Sequence, residues 1–136
     1  MWWRCYQANN ADSYPQQGQV LLIYGLLARM LCALPETARP LVQMDRGLAH
    51  SSAMLRALKL LGVDYLVRVK ATARLTSDHG ISQLLKHWVS VGQSTHLHGT
   101  LFERDHACAG TICLIWEPGQ AEAWCLFTNI PRPVGR

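Results

Sequence analysis

The sequence predicts an α/β fold in which strands and helices alternate into a three-layer sandwich, and three adjacent stretches predict it. Arg39-Pro40-Leu41-Val42-Gln43-Met44 is a short apolar run behind a proline, interrupted by Asp45 and followed by Arg46-Gly47, the turn chemistry that ends a strand. Ser51 or Ser52 can then cap a helix whose apolar face is Met54, Leu55, Leu58 and Leu61, with Gly62 in the left-handed closing position. Val63-Asp64-Tyr65-Leu66-Val67-Arg68-Val69-Lys70 alternates as a second strand and finishes on two cations. Together they form a β-α-β unit.

In chain order, Trp2 to Tyr6 reads as an aromatic strand, and Gln7 to Gly18, with Asn9-Asn10, Asp12-Ser13 and Pro15, as a polar loop. Val20 to Leu34 is apolar nearly all round a helical wheel, so a helix buried on both sides is expected, ended by Pro35-Glu36. The stretch contains Arg29 and is shorter than the ~20 residues of a membrane span. Residues 1–70 therefore read strand, helix, strand, helix, strand, an order that builds a sandwich with right-handed crossovers. After Lys70 the character changes. Thr72 to Asp78 is polar, Ile81 to Val91 reads as a short helix or irregular, and Gly92 to Gly110 is rich in His, Gly and Thr without clear order. Thr111 to Trp116 and Ala123 to Thr128, around Glu117-Pro118-Gly119-Gln120, make a β-hairpin. The tail from Asn129, with Pro131 and Pro133, reads as a linker.

Composition sets the outer limits. The 136 residues are 49% hydrophobic and 16% charged, as suits one globular domain. A net charge of +4 and a sequence pI near 9.0 fit a polyanionic partner. Cys5, Cys32, Cys108, Cys113 and Cys125 are odd in number and scattered, and Met1 to Tyr6 is not followed by a signal-peptide apolar core. Reduced thiols, a cytoplasmic location and no membrane association are the expectation.

Asp45 is the first candidate for chemistry. A carboxylate at the carboxyl end of a strand in an open α/β sheet lies where such folds open a crevice for ligands, which suits metal or phosphate chemistry. The same residue equally suits a turn, bonding backbone N–H groups. Arg46, Arg68, Lys70 and Arg74 are expected at or just past strand ends on the edge of Asp45, where clustered cations suit a phosphodiester, although a solvated rim has the same composition. His96, His98, His106 and Cys108 lie close in sequence but lack structural-zinc spacing. No phosphate loop, dinucleotide fingerprint or nucleophile elbow occurs. A phosphoacceptor site at Asp45 would need acids after the first strand, and Met1 to Asn10 has none.

Met44-Asp45-Arg46-Gly47 at a strand end, Leu55 to Gly62 closing the next helix, Tyr65 to Lys70, and Trp124-Cys125-Leu126-Phe127-Thr128-Asn129 together resemble DDE transposases of bacterial insertion sequences. The likeness is to the group with a ribonuclease H-like catalytic domain and a β-rich insertion ahead of a Tyr-Arg-Glu-Lys motif. It covers essentially the whole chain, and its most specific part is Asp45 to Lys70. The resemblance implies an incomplete ribonuclease H-like core over residues 1–71, an insertion over 72–123, and a return strand with a truncated linker over 124–136. It implies that Asp45 is the second of three metal-holding acids, serving catalysis with Mg²⁺ in the intact family. Arg68 and Lys70 would approach transposon-end duplex DNA, with Arg46 and Arg74 beside them, and Trp124 would receive a flipped base. A tryptophan in a hairpin strand is otherwise expected in the core. The family's first and third acids would fall outside residues 1–136, and Asp12, Glu103, Glu117 and Glu122 fit neither motif. The expectation is therefore a transposase-derived fragment that binds DNA without cutting it. The alternative is a non-enzymatic regulator that binds transposon ends or full-length transposase.

Overall fold

In the computed structural model the described residues are 18–49, 51–104 and 107–131, and the chain divides into two compact units, residues 1–38 and 39–136. The strand expected over Trp2 to Tyr6, and nearly all of the loop after it, lie outside the described residues. The first unit contains α1 (Gly18–Ala33), which stops where Pro35 cannot continue it. None of its residues is buried, which corrects the expectation of a helix packed on both sides: Leu21, Leu26 and Met30 are all more than half exposed.

The second unit is a mixed α/β fold. It begins with β1 (Leu41–Met44), passes through the helical turn α2 (Arg46–Ala49) and α3 (Ser52–Leu61), and returns in β2 (Asp64–Val69). β1 and β2 are parallel, with Val42 opposite Tyr65 and Met44 opposite Val67, so the expected β-α-β unit is present. Its punctuation is local. Ser51 Oγ accepts the Met54 N–H at 3.1 Å, and Gly62 closes α3 at φ 69° with its N–H donated to the Lys59 carbonyl. Arg46-Gly47, expected as a plain turn, instead opens α2.

Five further strands extend the sheet: β3 (Arg74–Ser77), β4 (Ser82–Leu84), β5 (Gln93–Leu101), β6 (Cys108–Trp116) and β7 (Trp124–Thr128). The strand order is β1-β2-β7-β6-β5-β3-β4, and every pair after β1–β2 is antiparallel. Residues 72–123 thus supply β3 to β6 of the sheet that contains β1, β2 and β7. The β6–β7 hairpin turns at Pro118-Gly119, where Gly119 takes φ 88° and the Trp116 indole donates to the Gln120 carbonyl.

Two stretches differ from expectation. Ile81, Leu84, Leu85 and Trp88 have helical spacing, yet Ser82–Leu84 pairs with β3 after a turn at Gly80 (φ 85°), and only Leu85–His87 coils, as a 3-10 turn. Backbone bonds from Leu85 to Ala73 and from Lys86 to Ala71 hold that turn. The His- and Thr-rich stretch is no irregular segment either: β5 pairs with β6 from Gln93 opposite Trp116 to Leu101 opposite Cys108. Ser94, His96, His98 and Thr100 face away from the core, and Gln93, Thr95 and Gly99 dilute the other face, which removes the hydrophobic signal of a strand.

One face of the sheet is buried. Val67 and Val69 of β2 stand opposite Phe127 and Cys125 of β7, which in turn stand opposite Ile112 and Leu114 of β6. These six and Met54, Leu55 and Leu58 of α3 are almost fully buried, so α3 seals this face. The other face carries Leu66, Arg68, Trp124, Leu126, Cys113 and Ile115. Ile115 is 40% exposed and Trp124 44%, so within the second unit the described residues put no third layer over it.

Candidate functional site

Alternation along β2 aims Tyr65, Val67 and Val69 into the core and Arg68 to the open face. Arg68 stands opposite Leu126 of β7, so Trp124 lies on the same face two residues away. The Arg68 guanidinium covers the Trp124 ring, its Cζ 4.0 Å from the ring centroid. The same guanidinium lies 3.7 Å from Asp45 Oδ1 at the end of β1 and 3.9 Å from Glu122 Oε1 in the β6–β7 connection. Arg46, at the start of α2, donates to Glu122 Oε1 as well. Asp45, Arg46, Arg68, Glu122 and Trp124 therefore form one cluster, with Arg68 at its centre.

Exposure grades the members. The Arg68 side chain is 21% exposed, those of Arg46 and Glu122 are 42% exposed, and that of Asp45 is 72% exposed. Pairs this open contribute only about 0–1 kcal/mol each to stability, so the cluster is better understood as positioned charge than as a structural clamp. Beneath it, burial pushes the Cys125 thiol up to about 11; the Glu122 carboxylate adds to that rise and Arg68 opposes it.

The expected site residues divide. Arg46, Arg68 and Trp124 gather with Asp45. Lys70 lies one residue beyond β2 and is exposed. Arg74 does not join them: it begins β3, four places from β2 in the strand order, and its guanidinium donates to the Ser82 carbonyl at 3.3 Å. A reading by strand ends cannot anticipate this, because β3 pairs with β5 instead of extending the β1–β2 edge. Trp124 is not a core residue, since the pleat of β7 turns Cys125 and Phe127 inward and Trp124 outward. Glu122 was missed. It lies 76 residues from Arg46, and its only sequence signal is its place two residues before Trp124.

The donor set does not fit a two-metal centre. Such a centre needs several carboxylates free to face the ions, whereas Glu122 is engaged by two guanidiniums and Asp45 by one. Among the described residues no group of three or more His, Cys, Asp or Glu side chains could hold a metal ion.

Elsewhere on the open face, His98 Nδ1 lies 2.9 Å from both Asp78 carboxylate oxygens. A groove of about 340 Å³ runs past His96, His98, Thr111 and Asn129. Asn129 is structural there: its amide accepts from the Tyr65 N–H at 2.9 Å and donates to the Val63 carbonyl at 3.0 Å, extending the ladder beyond β7. Among the described residues, Cys32, Cys108, Cys113 and Cys125 form no disulfide, and His106 lies outside the described residues. No described helix is long and apolar enough to cross a membrane. No protein-family model matches the chain, and no curated protein matches its sequence.

Proposed function

We propose that this chain binds the phosphate backbone of double-stranded DNA, as a transposase-derived protein that holds transposon ends without cutting them. The observation that carries this reading is the convergence of Arg46 and Arg68 with Trp124 at the carboxyl end of β1, beside Asp45. Guanidiniums match phosphate oxygens in pairs, and an exposed aromatic face beside them suits a nucleobase. The net charge of +4 adds long-range attraction for a polyanion. A ribonuclease H-like identity for the core belongs to the same proposal and draws on the parallel β1–β2 pair with Asp45 at its end. Strand cleavage does not follow from these residues, because phosphoryl transfer by two metals needs more unpaired carboxylates than Asp45 and Glu122 offer. Anisotropy of a labelled duplex tests the reading. Binding should appear at low salt, weaken as salt rises, and weaken further in Arg68→Ala with Lys70→Ala.

A second reading, a regulator that pairs with full-length transposase, draws on one specific feature. β1 is an outer strand of the sheet, and among the described residues nothing pairs with its far side, where Leu41 is 46% exposed. Co-sedimentation with the full-length enzyme that is lost in Val42→Pro would favour that reading over direct DNA binding.

A further inference from the structure

The cluster is electrically closed as it stands. Two guanidiniums, Arg46 and Arg68, face two carboxylates, Asp45 and Glu122, so the group carries no net charge at neutral pH. The four do not play equal parts. Asp45 is the most exposed and touches only Arg68, whereas Glu122 contacts both cations through one oxygen, Oε1. That oxygen sits where a phosphate oxygen would have to sit to use both guanidiniums together. Glu122 also comes from the connection between β6 and β7 and not from a strand, so it can leave without disturbing the ladder. Arg68 keeps its place when Glu122 leaves, since its backbone is fixed opposite Leu126 and its guanidinium rests on Trp124.

We infer that Glu122 is a built-in competitor for the phosphate site, an internal carboxylate that holds Arg46 and Arg68 until a phosphate-bearing ligand displaces it. The inference deepens the phosphate-binding reading and rests on it. In the closed state the cluster gives a polyanion no net attraction. With Glu122 displaced, Arg46 and Arg68 outnumber Asp45 and the site is cationic. Affinity is therefore set by a difference between two anions for the same guanidiniums, and removing the internal anion should raise it.

The test compares wild type, Glu122→Gln and Glu122→Gln/Arg68→Ala, with folding checked by circular dichroism. The probes are inorganic pyrophosphate, followed through the arginine Nε–Hε resonances, and a labelled 20-base-pair duplex, followed by anisotropy. Glutamine keeps the size of the side chain and removes its charge, so Glu122→Gln should bind pyrophosphate about three- to tenfold tighter than wild type, the range for one unit charge a few ångströms from a screened site. The gain should vanish in the double variant. For the duplex, the slope of log affinity against log salt should steepen by up to about one unit, since a displaced carboxylate no longer takes back a cation. Equal or weaker pyrophosphate binding by Glu122→Gln overturns the inference. If the duplex binds wild type and Glu122→Gln alike, the competitor role is overturned while DNA binding stands. If pyrophosphate shows the gain and neither protein binds duplex, the displacement stands and the DNA reading fails.

Discussion

Gly110 is where the packing of the sheet makes its sharpest demand. It sits on the buried face of β6 directly opposite Gly99 of β5, and a Cβ at position 110 would lie 2.5 Å from the Thr128 carbonyl oxygen and 2.7 Å from Cζ of Phe127. Neither neighbour can yield cheaply. The carbonyl belongs to the β7 backbone, and the Phe127 ring is fully buried and tilted against Tyr65 at 6.2 Å between centroids. Gly110→Ala must therefore push β7 away from β6. Overpacking of this kind costs about 1–3 kcal/mol. The narrower unfolded ensemble of alanine returns about 0.4–1 kcal/mol, leaving a net loss of about 1–2 kcal/mol. For a unit of about 100 residues that lowers Tm by about 5–10 °C. Gly47→Ala is the matched control, because a Cβ at that position in α2 meets nothing within 4 Å and should stabilise by a few tenths of a kcal/mol. Urea titrations of the three proteins by far-ultraviolet circular dichroism give the comparison. If Gly110→Ala is as stable as wild type, β6 and β7 are not packed in the described register.

Three further outcomes follow from the same geometry. Asn129→Ala leaves the Tyr65 N–H and the Val63 carbonyl without their partners and should cost about 1–3 kcal/mol in urea unfolding, whereas Asn129→Gln should not restore it, because the longer amide cannot meet both groups. Burial raises Cys125 to about 11 and Tyr65 to about 12, above their ordinary values of 9.0 and 10.0. The folded state thus holds these protons more tightly than the unfolded chain, so this contribution to stability is present below about pH 9 and is lost as pH rises towards 12; urea midpoints should fall over that window and fall less in Tyr65→Phe. Incubation with inverted-repeat duplex and Mg²⁺ or Mn²⁺ should leave the strands intact on a denaturing gel; nicking that disappears in Asp45→Asn would refute the view that these carboxylates are too few and too engaged.

What the sequence made legible was local. Ser51 and Gly62 announced both ends of α3, the proline and Asp45 bracketed β1, and Pro118-Gly119 between two apolar runs marked the β6–β7 hairpin. These signals involve residues a few positions apart, where capping, turn and alternation rules act. β5 was hidden because Ser94, His96, His98 and Thr100 fill its open face with polar groups and Gly99 interrupts the buried one, so the alternation carried little hydrophobic contrast. β4 was hidden because Ile81, Leu84, Leu85 and Trp88 imitate a helical stripe. The site was half legible. Asp45, Arg46 and Arg68 follow from the β-α-β unit, but Glu122 reaches them only because β7 inserts beside β2, a pairing of segments about sixty residues apart that no local pattern encodes. The same non-local order carried Arg74 away from them.

Arg46 and Arg68 are proposed as a phosphate-binding pair at the end of β1. The measurement that bears on it most directly is duplex binding as a function of salt for wild type and for Arg46→Ala/Arg68→Ala, with Arg74→Ala as a control outside the cluster. Wild type should bind with an affinity that falls steeply with salt, the double variant should bind more weakly with a slope shallower by about one to two units, and Arg74→Ala should stay closer to wild type. Binding that is unchanged in the double variant, or lost equally in Arg74→Ala, would contradict that role for the pair.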